Sequence, residues 1–226
     1  MPDSENPIFI PASESAGFIA VFDIYVRNLF RRRFKNILID QEYQPSAESR
    51  TIYYLNHTSW WDGLIPLLLN QKRFKQKARA MMEDKQMLEH RFFRKIGAFS
   101  VNLQDPRAAV KSLRYAKESM DRLNSCLFIY PEGKIVPFST DKPEFKKGLG
   151  WLAKRCPQCD LVPIGIYIHT ANSDKPDLCI RVGVPSRPDL NQKPADISHS
   201  LEEDLQTVLS TLQNDAHNQN EIFENL

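Results

Sequence analysis

A histidine and an aspartate stand five positions apart in the polar segment from Asn56 to Asp62. The segment follows an apolar run, residues 51–55, that predicts a buried strand, and it opens a predicted helix at about residues 59–70. Five steps along a regular helix turn the chain by about 500°, so the two side chains meet only if His57 lies in the loop and Asp62 in the first turn. Asp62 would then accept a hydrogen bond from one ring nitrogen, and the other nitrogen would take a proton from an attacking hydroxyl.

The same segment has a purely structural interpretation. Ser59 and Asp62 have the Ser-x-x-Asp spacing that resembles a capping box at a helix start. In that interpretation Asp62 only stabilises the helix, and His57 is a hydrogen-bonded loop residue. The local pattern leaves both interpretations open.

A second polar segment follows the apolar run 126–130, which also predicts a buried strand. Gly133 lets the backbone turn sharply or approach a ligand closely. Glu132 and Lys134 are expected at the same strand-end edge as His57, where loops of open α/β sheets commonly carry function. An ordinary strand-ending turn is the alternative. Further along, Lys146 and Lys147 precede a helix and could meet phosphate.

The elements that must position these residues alternate along the chain. Strands are predicted at 51–55, 78–82, 98–103, 126–130, 161–168 and 178–184. Helices are predicted at 59–70, 85–96, 105–123, the second half of 143–155, and 197–212. This alternation predicts an α/β fold with a mostly parallel central sheet flanked by helices.

The first forty residues predict a different organisation. Residues 1–15 are expected to be a flexible lead, residues 16–40 an amphipathic, possibly membrane-interfacial helical segment, and residues 41–226 a single domain. Phe18, Phe22, Tyr25 and Leu29 share one side of the helix, and basic residues follow them. The helix either packs on the core or lies in a membrane interface, and both can hold along its length. No apolar run reaches the roughly 20 residues that span a bilayer.

Composition bounds the class of protein. The chain has 226 residues, of which 42% are hydrophobic and 26% charged, which suits one α/β domain with a sizeable core. The net charge is only +2, but the basic segments lie in the first half, where an anionic membrane or a phosphate-rich donor could be met. A nucleic-acid partner is not expected, because the arginines adjoin an apolar stripe and no nucleic-acid module is recognised.

Cysteine usage points to a reduced compartment. The acidic, polar N-terminus shows no secretory signal, so a cytoplasmic setting is expected for the four cysteines. Cys156 and Cys159 have redox-type spacing, but no second pair follows that would complete a zinc site. We therefore expect ordinary cysteines and no metal site.

Taken in order, four segments resemble the glycerolipid acyltransferase family, which includes 1-acylglycerol-3-phosphate acyltransferases. That family shows Asn-His-x-x-x-x-Asp, a Gly-x-x-Phe-type segment ending in Arg, a Pro-Glu-Gly-Thr-Arg segment and a Val-Pro-Ile-type strand. The matching positions here are Asn56, His57 and Asp62; Gly97 to Leu103, running into Asp105, Pro106 and Arg107; Pro131 to Ile135; and Val162 to Ile164. The resemblance covers roughly residues 50 to 185.

The resemblance implies a reaction and its participants. His57 would be the general base that activates the acceptor hydroxyl, and Asp62 would orient it. The hydroxyl would attack the thioester directly, in keeping with the absence of a Gly-x-Ser-x-Gly elbow from the sequence. Glu132 and Gly133 would help to form the acceptor pocket. The donor would be an acyl-coenzyme A or acyl carrier protein thioester, with no further cofactor, and the enzyme would sit peripherally at the cytoplasmic face of a membrane.

Two departures from the family pattern concern the acceptor. Leu103 and Ile135 stand where the family has arginines associated with the acceptor phosphate. Lys134, Arg107 or Lys147 are candidates to replace them, although lysine binds phosphate as a point charge. Alternatively, the acceptor is a lysolipid with a larger headgroup, or a neutral or glycosylated lipid alcohol. An alternative of another class is a non-catalytic membrane lipid-binding protein that keeps the fold.

Overall fold

The computed structural model describes residues 9–137, 144–170, 173–218 and 222–226. Across these residues, one sheet of eight strands forms the centre of the molecule. The strands are β1 Ile37–Gln41, β2 Arg50–Leu55, β3 Lys77–Glu83, β4 Ala98–Val101, β5 Ser125–Ile129, β6 Asp160–His169, β7 Asp177–Val182 and β8 Glu224–Asn225.

The strand order is β4-β3-β5-β2-β6-β7-β1-β8. Pairing is parallel except between β6 and β7 and between β1 and β8, where it is antiparallel. The mostly parallel sheet predicted from the alternation of elements is therefore confirmed.

Six α-helices flank the sheet in the described part of the chain. They are α1 Ala16–Arg33, α2 Ile65–Leu69, α3 Asp84–Glu89, α4 Pro106–Ser119, α5 Gly148–Arg155 and α6 Pro194–Asn218. Short 3₁₀ helices at Trp60–Leu64 and Arg91–Ile96 and a π-helical turn at Asn70–Phe74 extend them. The predicted helix at 59–70 thus begins as a tight 3₁₀ turn, which places the polar segment at its start.

Both faces of the sheet are covered, because neighbouring residues of each central strand point to opposite sides. Tyr53 and Phe128 belong to one buried cluster, with residues of α1 and α2. Ile52 and Leu127 belong to the other, with residues of α4, α5 and α6. This is why the central strands are nearly continuous apolar runs in the sequence.

The N-terminal helix is shorter than the predicted segment 16–40. Helix α1 ends at Arg33, and Phe34 is already extended. Residues 37–41 form β1, which pairs with β7 and so belongs to the sheet. Asn36 fixes the change of direction, since its backbone and side-chain amides both donate to Asp177 Oδ1, at 3.1 and 2.8 Å.

Residues 9–15 are docked on the sheet edge, so the prediction of a flexible lead is wrong for them. The Ile10 amide donates to Ser100 Oγ at 2.7 Å, and the Ser100 amide donates to the Ile10 carbonyl at 2.9 Å. The Ser13 amide adds a bond to the Arg94 carbonyl at 2.9 Å. The segment thereby covers strand β4, an edge that would otherwise present unpaired backbone groups. Residues 1–8 lie outside the described residues.

Helix α1 has two different apolar sides. Val26 and Phe30 are fully buried in the core, as one of the two predicted interpretations requires. Val21, Ile24 and Tyr25 are more than half exposed on the outer side. Within the described residues, no helix combines the length and the apolar character needed to cross a membrane.

The contact between α5 and α6 yields a stability prediction. A methyl group added at Gly150 would lie 1.9 Å from the Pro194 carbonyl oxygen, so only a glycine allows the two helices to approach this closely. We expect Gly150→Ala to lower the free energy of unfolding by about 1–3 kcal/mol, the usual cost of overpacking, as measured by urea denaturation.

Gly17→Ala is the matched control, because no atom lies within 4 Å of the added methyl group and the position is helical. It is expected to be neutral or to stabilise by up to about 1 kcal/mol. Equal stability of the two variants would contradict the tight α5–α6 contact.

Candidate active site

The polar segments meet because they follow neighbouring parallel strands. Strand β2 pairs in parallel with β5, and Tyr54 is in register with Ile129, so the loops after both strands emerge at the same edge. Asn56, the first residue after β2, holds the loop to β6. Its side chain donates to the Ile166 carbonyl at 2.9 Å and accepts from the Ile166 amide at 2.8 Å.

His57 and Asp62 form a direct pair. The His57 Nδ1 atom lies 3.1 Å from Asp62 Oδ2. Asp62 is fully buried, whereas the His57 side chain is 20% exposed. A carboxylate accepts only from an Nδ1–H, so it fixes the tautomer in which Nε2 carries the lone pair. His57 lines a large groove, and no described group bonds to its Nε2 atom.

The carboxylate of Asp62 also organises the loop. The backbone amides of Thr58 and Ser59 donate to Oδ2 at 2.6 and 2.8 Å, and the Ser59 hydroxyl donates to Oδ1 at 2.8 Å. Asp62 therefore caps the start of the Trp60–Leu64 helix and binds the imidazole at the same time. The two interpretations of this segment are compatible, and His57 lies in the loop with Asp62 in the first turn, as the geometry requires.

These bonds limit where an oxyanion could be stabilised. Backbone amides near the helix start are the obvious candidates to stabilise a tetrahedral oxyanion. The amides of Thr58 and Ser59 are committed to Asp62, so these two are not available for that role.

Glu132 approaches His57 from the loop after β5. Its side chain is buried, and Oε1 accepts from the His57 backbone amide at 3.3 Å. Burial raises the pKa of Glu132 to about 7, and the hydrogen bond from His57 offsets part of this effect. Glu132 is not among the residues that line the groove. It holds the backbone of His57, and its assignment to the acceptor pocket stays a prediction from the sequence.

Two residues of the same loop complete the support of His57, and sequence reasoning did not single them out. The Tyr130 ring lies against the imidazole with ring centres 4.5 Å apart, and its hydroxyl donates to the Asp62 carbonyl. The Val136 amide donates to the His57 carbonyl at 2.7 Å. An aromatic residue at the end of a buried strand is too common for the sequence to mark it as part of a site.

Gly133 shapes the rim of the groove. Its φ of 66° lies in the left-handed region, where glycine is favoured. A Cβ atom here would lie 2.9 Å from Lys146 Nζ, so the flexible Lys146 side chain would have to shift. Gly133 therefore lets the loop turn and brings Lys146 close to the His57 loop.

The groove beside His57 has a volume of about 1540 Å³. One arm of it, called the β3 arm here, runs over strands β3 and β4. Most of its lining is small or apolar: Leu64, Leu67, Ala78, Ala80, Met82, Phe93, Ile96 and Ala98. Lys77 and Arg79 of β3 also line the groove, and Arg79 pairs with Glu14. The two alanines of β3 leave the space that larger residues would fill.

The remaining predicted residues divide into two groups. Lys134 and Lys147 line the groove, and so do Leu103 and Ile135, the two positions that depart from the family pattern. Arg107 lies exposed in the first turn of α4 and does not line the groove, so the structure does not bring it to His57.

The buried Glu132 carboxyl yields a pH prediction. The folded chain retains the proton up to a pKa of about 7, whereas the unfolded chain loses it near 4.5. The contribution of this carboxyl to the free energy of unfolding is therefore fully present below about pH 4.5 and is lost as the pH rises through about 7. Glu132→Gln keeps an oxygen acceptor for the His57 amide and cannot ionise. We expect the variant to gain stability relative to wild type between about pH 5 and pH 8, measured by urea unfolding. A stability difference independent of pH would show that Glu132 does not titrate in this range.

Comparisons with known proteins agree with this arrangement. The family model described as Acyltransferase matches residues 36–167, more than half of the chain. The crystal structure of the 1-acyl-sn-glycerophosphate (LPA) acyltransferase PlsC from Thermotoga maritima aligns with a TM-score of 0.55 at 15% identity, over 87% of this chain and 79% of that one.

Two further results add nothing to the assignment. The pilus retraction motor PilT with bound ADP aligns with a TM-score of 0.34 at 6% identity, over 70% of this chain and 54% of that chain. No curated protein shows significant sequence similarity.

The family model matches the chain from β1 to β6, and the fold is shared with an acyltransferase. The chain therefore belongs to the acyltransferase family.

Proposed function

We propose that the protein moves a fatty acyl group from an acyl thioester to a hydroxyl of a lysophospholipid or a related membrane lipid. His57 is the general base, and Asp62 orients it. The observation that carries the proposal is the 3.1 Å contact between His57 Nδ1 and the buried Asp62 carboxylate, which leaves Nε2 as the basic nitrogen of a residue that lines the groove.

The reaction follows from the proton balance at Nε2. The acceptor hydroxyl gives its proton to Nε2 while its oxygen attacks the thioester carbonyl, forming a tetrahedral oxyanion. The intermediate collapses with cleavage of the carbon–sulfur bond, and the imidazolium returns the proton to the departing thiolate. Asp62 stabilises the imidazolium between these steps, as a carboxylate at Nδ1 does in other acyl-transfer sites.

The β3 arm provides a place for the fatty chain. The apolar part of its lining removes the chain from water, which stabilises the bound state by roughly 0.8 kcal/mol for each buried methylene group. Because His57 lines the same groove, a chain in the β3 arm can place its thioester carbonyl beside Nε2.

If the acceptor is a membrane lipid, the protein must contact a bilayer, and helix α1 offers a surface for this contact. Its exposed Val21, Ile24 and Tyr25 share the outer side of the molecule with Phe92, which packs against Phe22 at 5.5 Å between ring centres. The basic residues at 31–33 end the same helix. An apolar helix face followed by cations suits peripheral binding at an anionic cytoplasmic leaflet.

The acceptor we propose is not lysophosphatidic acid. Leu103 and Ile135 line the groove where the family has arginines, so two bidentate phosphate donors are missing beside the base. A lysolipid with a larger headgroup, or a neutral or glycosylated lipid alcohol, suits this rim better than a phosphomonoester.

Removing the pair tests the catalytic assignment. We expect Asp62→Asn and His57→Ala each to lower kcat for acyl transfer by about 10²–10⁴-fold, since a positioned base contributes that much. The assay uses labelled palmitoyl-CoA with total membrane lipid, and mass spectrometry identifies the acylated product. Asp174→Asn, a change of the same type at an exposed position, is the control. Transfer by His57→Ala at the wild-type rate would favour a non-catalytic lipid-binding protein.

A panel of lysolipids and lipid alcohols tests the acceptor. We expect lysophosphatidic acid to be a poor acceptor for wild type. Leu103→Arg with Ile135→Arg should raise its kcat/KM by about tenfold or more, because the charge-assisted bonds to a phosphomonoester return. The matched control is Leu103→Ala with Ile135→Ala, which changes size without adding charge. Strong wild-type preference for lysophosphatidic acid would refute the acceptor assignment.

A further inference from the structure

The turn that carries Asp62 is short and needs support from outside itself. It is the 3₁₀ helix Trp60–Leu64, and so short a helix is not stable alone in water. One support comes from the loop after β5, where the Tyr130 hydroxyl donates to the Asp62 carbonyl. A second support comes from helix α1, which contacts the side chain of Trp61, the residue directly before Asp62.

Three residues from the end of α1 contact the Trp61 ring. Phe30, Arg33 and Phe34 have the i, i+3, i+4 spacing that places side chains on one side of a helix. The rings of Phe30 and Phe34 both meet Trp61 edge to face, each with ring centres 5.6 Å apart. The Arg33 guanidinium lies 5.9 Å from the centre of the same ring, within the range of a cation–π interaction. Trp60 adds an edge contact at 5.5 Å, so several groups fix the orientation of Trp61.

The end of α1 is itself fixed to the sheet. Phe30 and Phe34 are buried in the core. Two residues further on, Asn36 donates twice to Asp177, the first residue of β7. A helix end that is anchored in this way can hold a neighbouring turn in place. The contacts of Trp61 therefore connect the turn of Asp62 to the sheet by a route separate from β5.

Trp61 does not belong to the surface that would meet a substrate. Its side chain is half-buried, and it is not among the residues that line the groove, whereas Trp60 and Gly63 of the same turn are. An effect of Trp61 on the reaction must therefore pass through the turn and its carboxylate. This distinguishes a positioning role from a role in substrate binding.

We propose that Trp61 is a positioning residue that ties the turn carrying Asp62 to helix α1, so that the orientation of the His57–Asp62 pair depends on the end of this helix. The inference rests on the proposed function and adds a residue and a helix on which the base depends. Without the Trp61 ring the turn shifts, and the imidazole loses the bond that fixes its tautomer. A misplacement of about 1 Å can lower a rate by about 100-fold.

Kinetics of the full chain test the positioning role. Trp61→Leu should lower kcat for acyl transfer by about 10–100-fold and leave KM for donor and acceptor within about twofold of wild type. Trp61→Phe, which keeps a ring between Phe30 and Phe34, should restore most of kcat. Tyr115→Leu is the matched control, because Tyr115 is also half-buried, packs against two phenylalanine rings and does not line the groove. It should keep the wild-type kcat.

A double-mutant cycle tests the connection to α1. Phe34→Leu should also lower kcat, although Phe34 does not line the groove. The double variant with Trp61→Leu should lose no more than Trp61→Leu alone, because both changes break the same contact. Additive losses would show that Phe34 and Trp61 act independently and would overturn the connection.

NMR of the ring nitrogens in isotope-labelled histidine tests the inference without any transfer reaction. Wild type should show His57 as a single tautomer with the proton on Nδ1, and the signals are assigned by their loss in His57→Ala. Trp61→Leu should show these nitrogens averaged between the two tautomers. Tyr115→Leu should show the wild-type signals.

The inference and the proposed function can fail separately. Unchanged kcat and an unchanged histidine spectrum in Trp61→Leu would overturn the inference, as would an equal loss in Tyr115→Leu or a rise in KM alone. If Trp61→Leu does not fold, Phe34→Leu supplies the same comparison. If wild type transfers no acyl group, the proposed function is refuted, and the histidine spectra still decide whether Trp61 positions the pair.

Discussion

A carboxylate removed from water must be surrounded by donors if it is to remain charged. Asp62 is fully buried and meets this requirement with the imidazole of His57, the amides of Thr58 and Ser59, and the Ser59 hydroxyl. All of these groups lie in the loop and turn after β2. One carboxylate therefore fixes both the path of the loop and the orientation of the imidazole, so the structural cap and the proposed catalytic pair depend on the same group. This explains why the motif needs both residues at fixed spacing.

The loop is also held from the adjacent strand, and this support depends on the parallel sheet. Strand β5 lies beside β2 in register, so Tyr130 reaches the Asp62 carbonyl and the imidazole face, while Glu132 reaches the His57 amide. A strand running in the opposite direction would bring its other end to this edge, and these hydrogen bonds could not form. The fold thus contributes to the site through strand direction and register, whereas the groove beside it follows from the small side chains of β3.

The sequence pattern predicted those parts of the site that depend on residues close together in the chain. The apolar runs of β2 and β5 and the polar segments after them predicted both loops and the meeting of His57, Asp62 and Glu132. The docking of residues 9–15 was missed because it depends on an edge strand far away in sequence. Strand β1 was missed because its five residues continue directly from a helical pattern. Arg107 was assigned to the acceptor from its position after a motif, but it does not line the groove, whereas Pro106 and Ala109 of the same helix do. Lys193 lines the groove beside the contact of α6 with α5, which the sequence does not reveal.

The distribution of cations around the groove separates two kinds of phosphate recognition. An arginine fork holds one phosphate in a fixed plane, which suits a phosphomonoester close to the reacting hydroxyl. Leu103 and Ile135 line the groove and offer no such fork. Lysines retain hydrated, rotatable charges, and Lys134, Lys146 and Lys147 can meet an anion in the groove only as point charges. In the proposed function, discrimination between acceptors therefore depends on the shape and polarity of the groove rim, because no arginine fork from these two positions selects for a phosphomonoester.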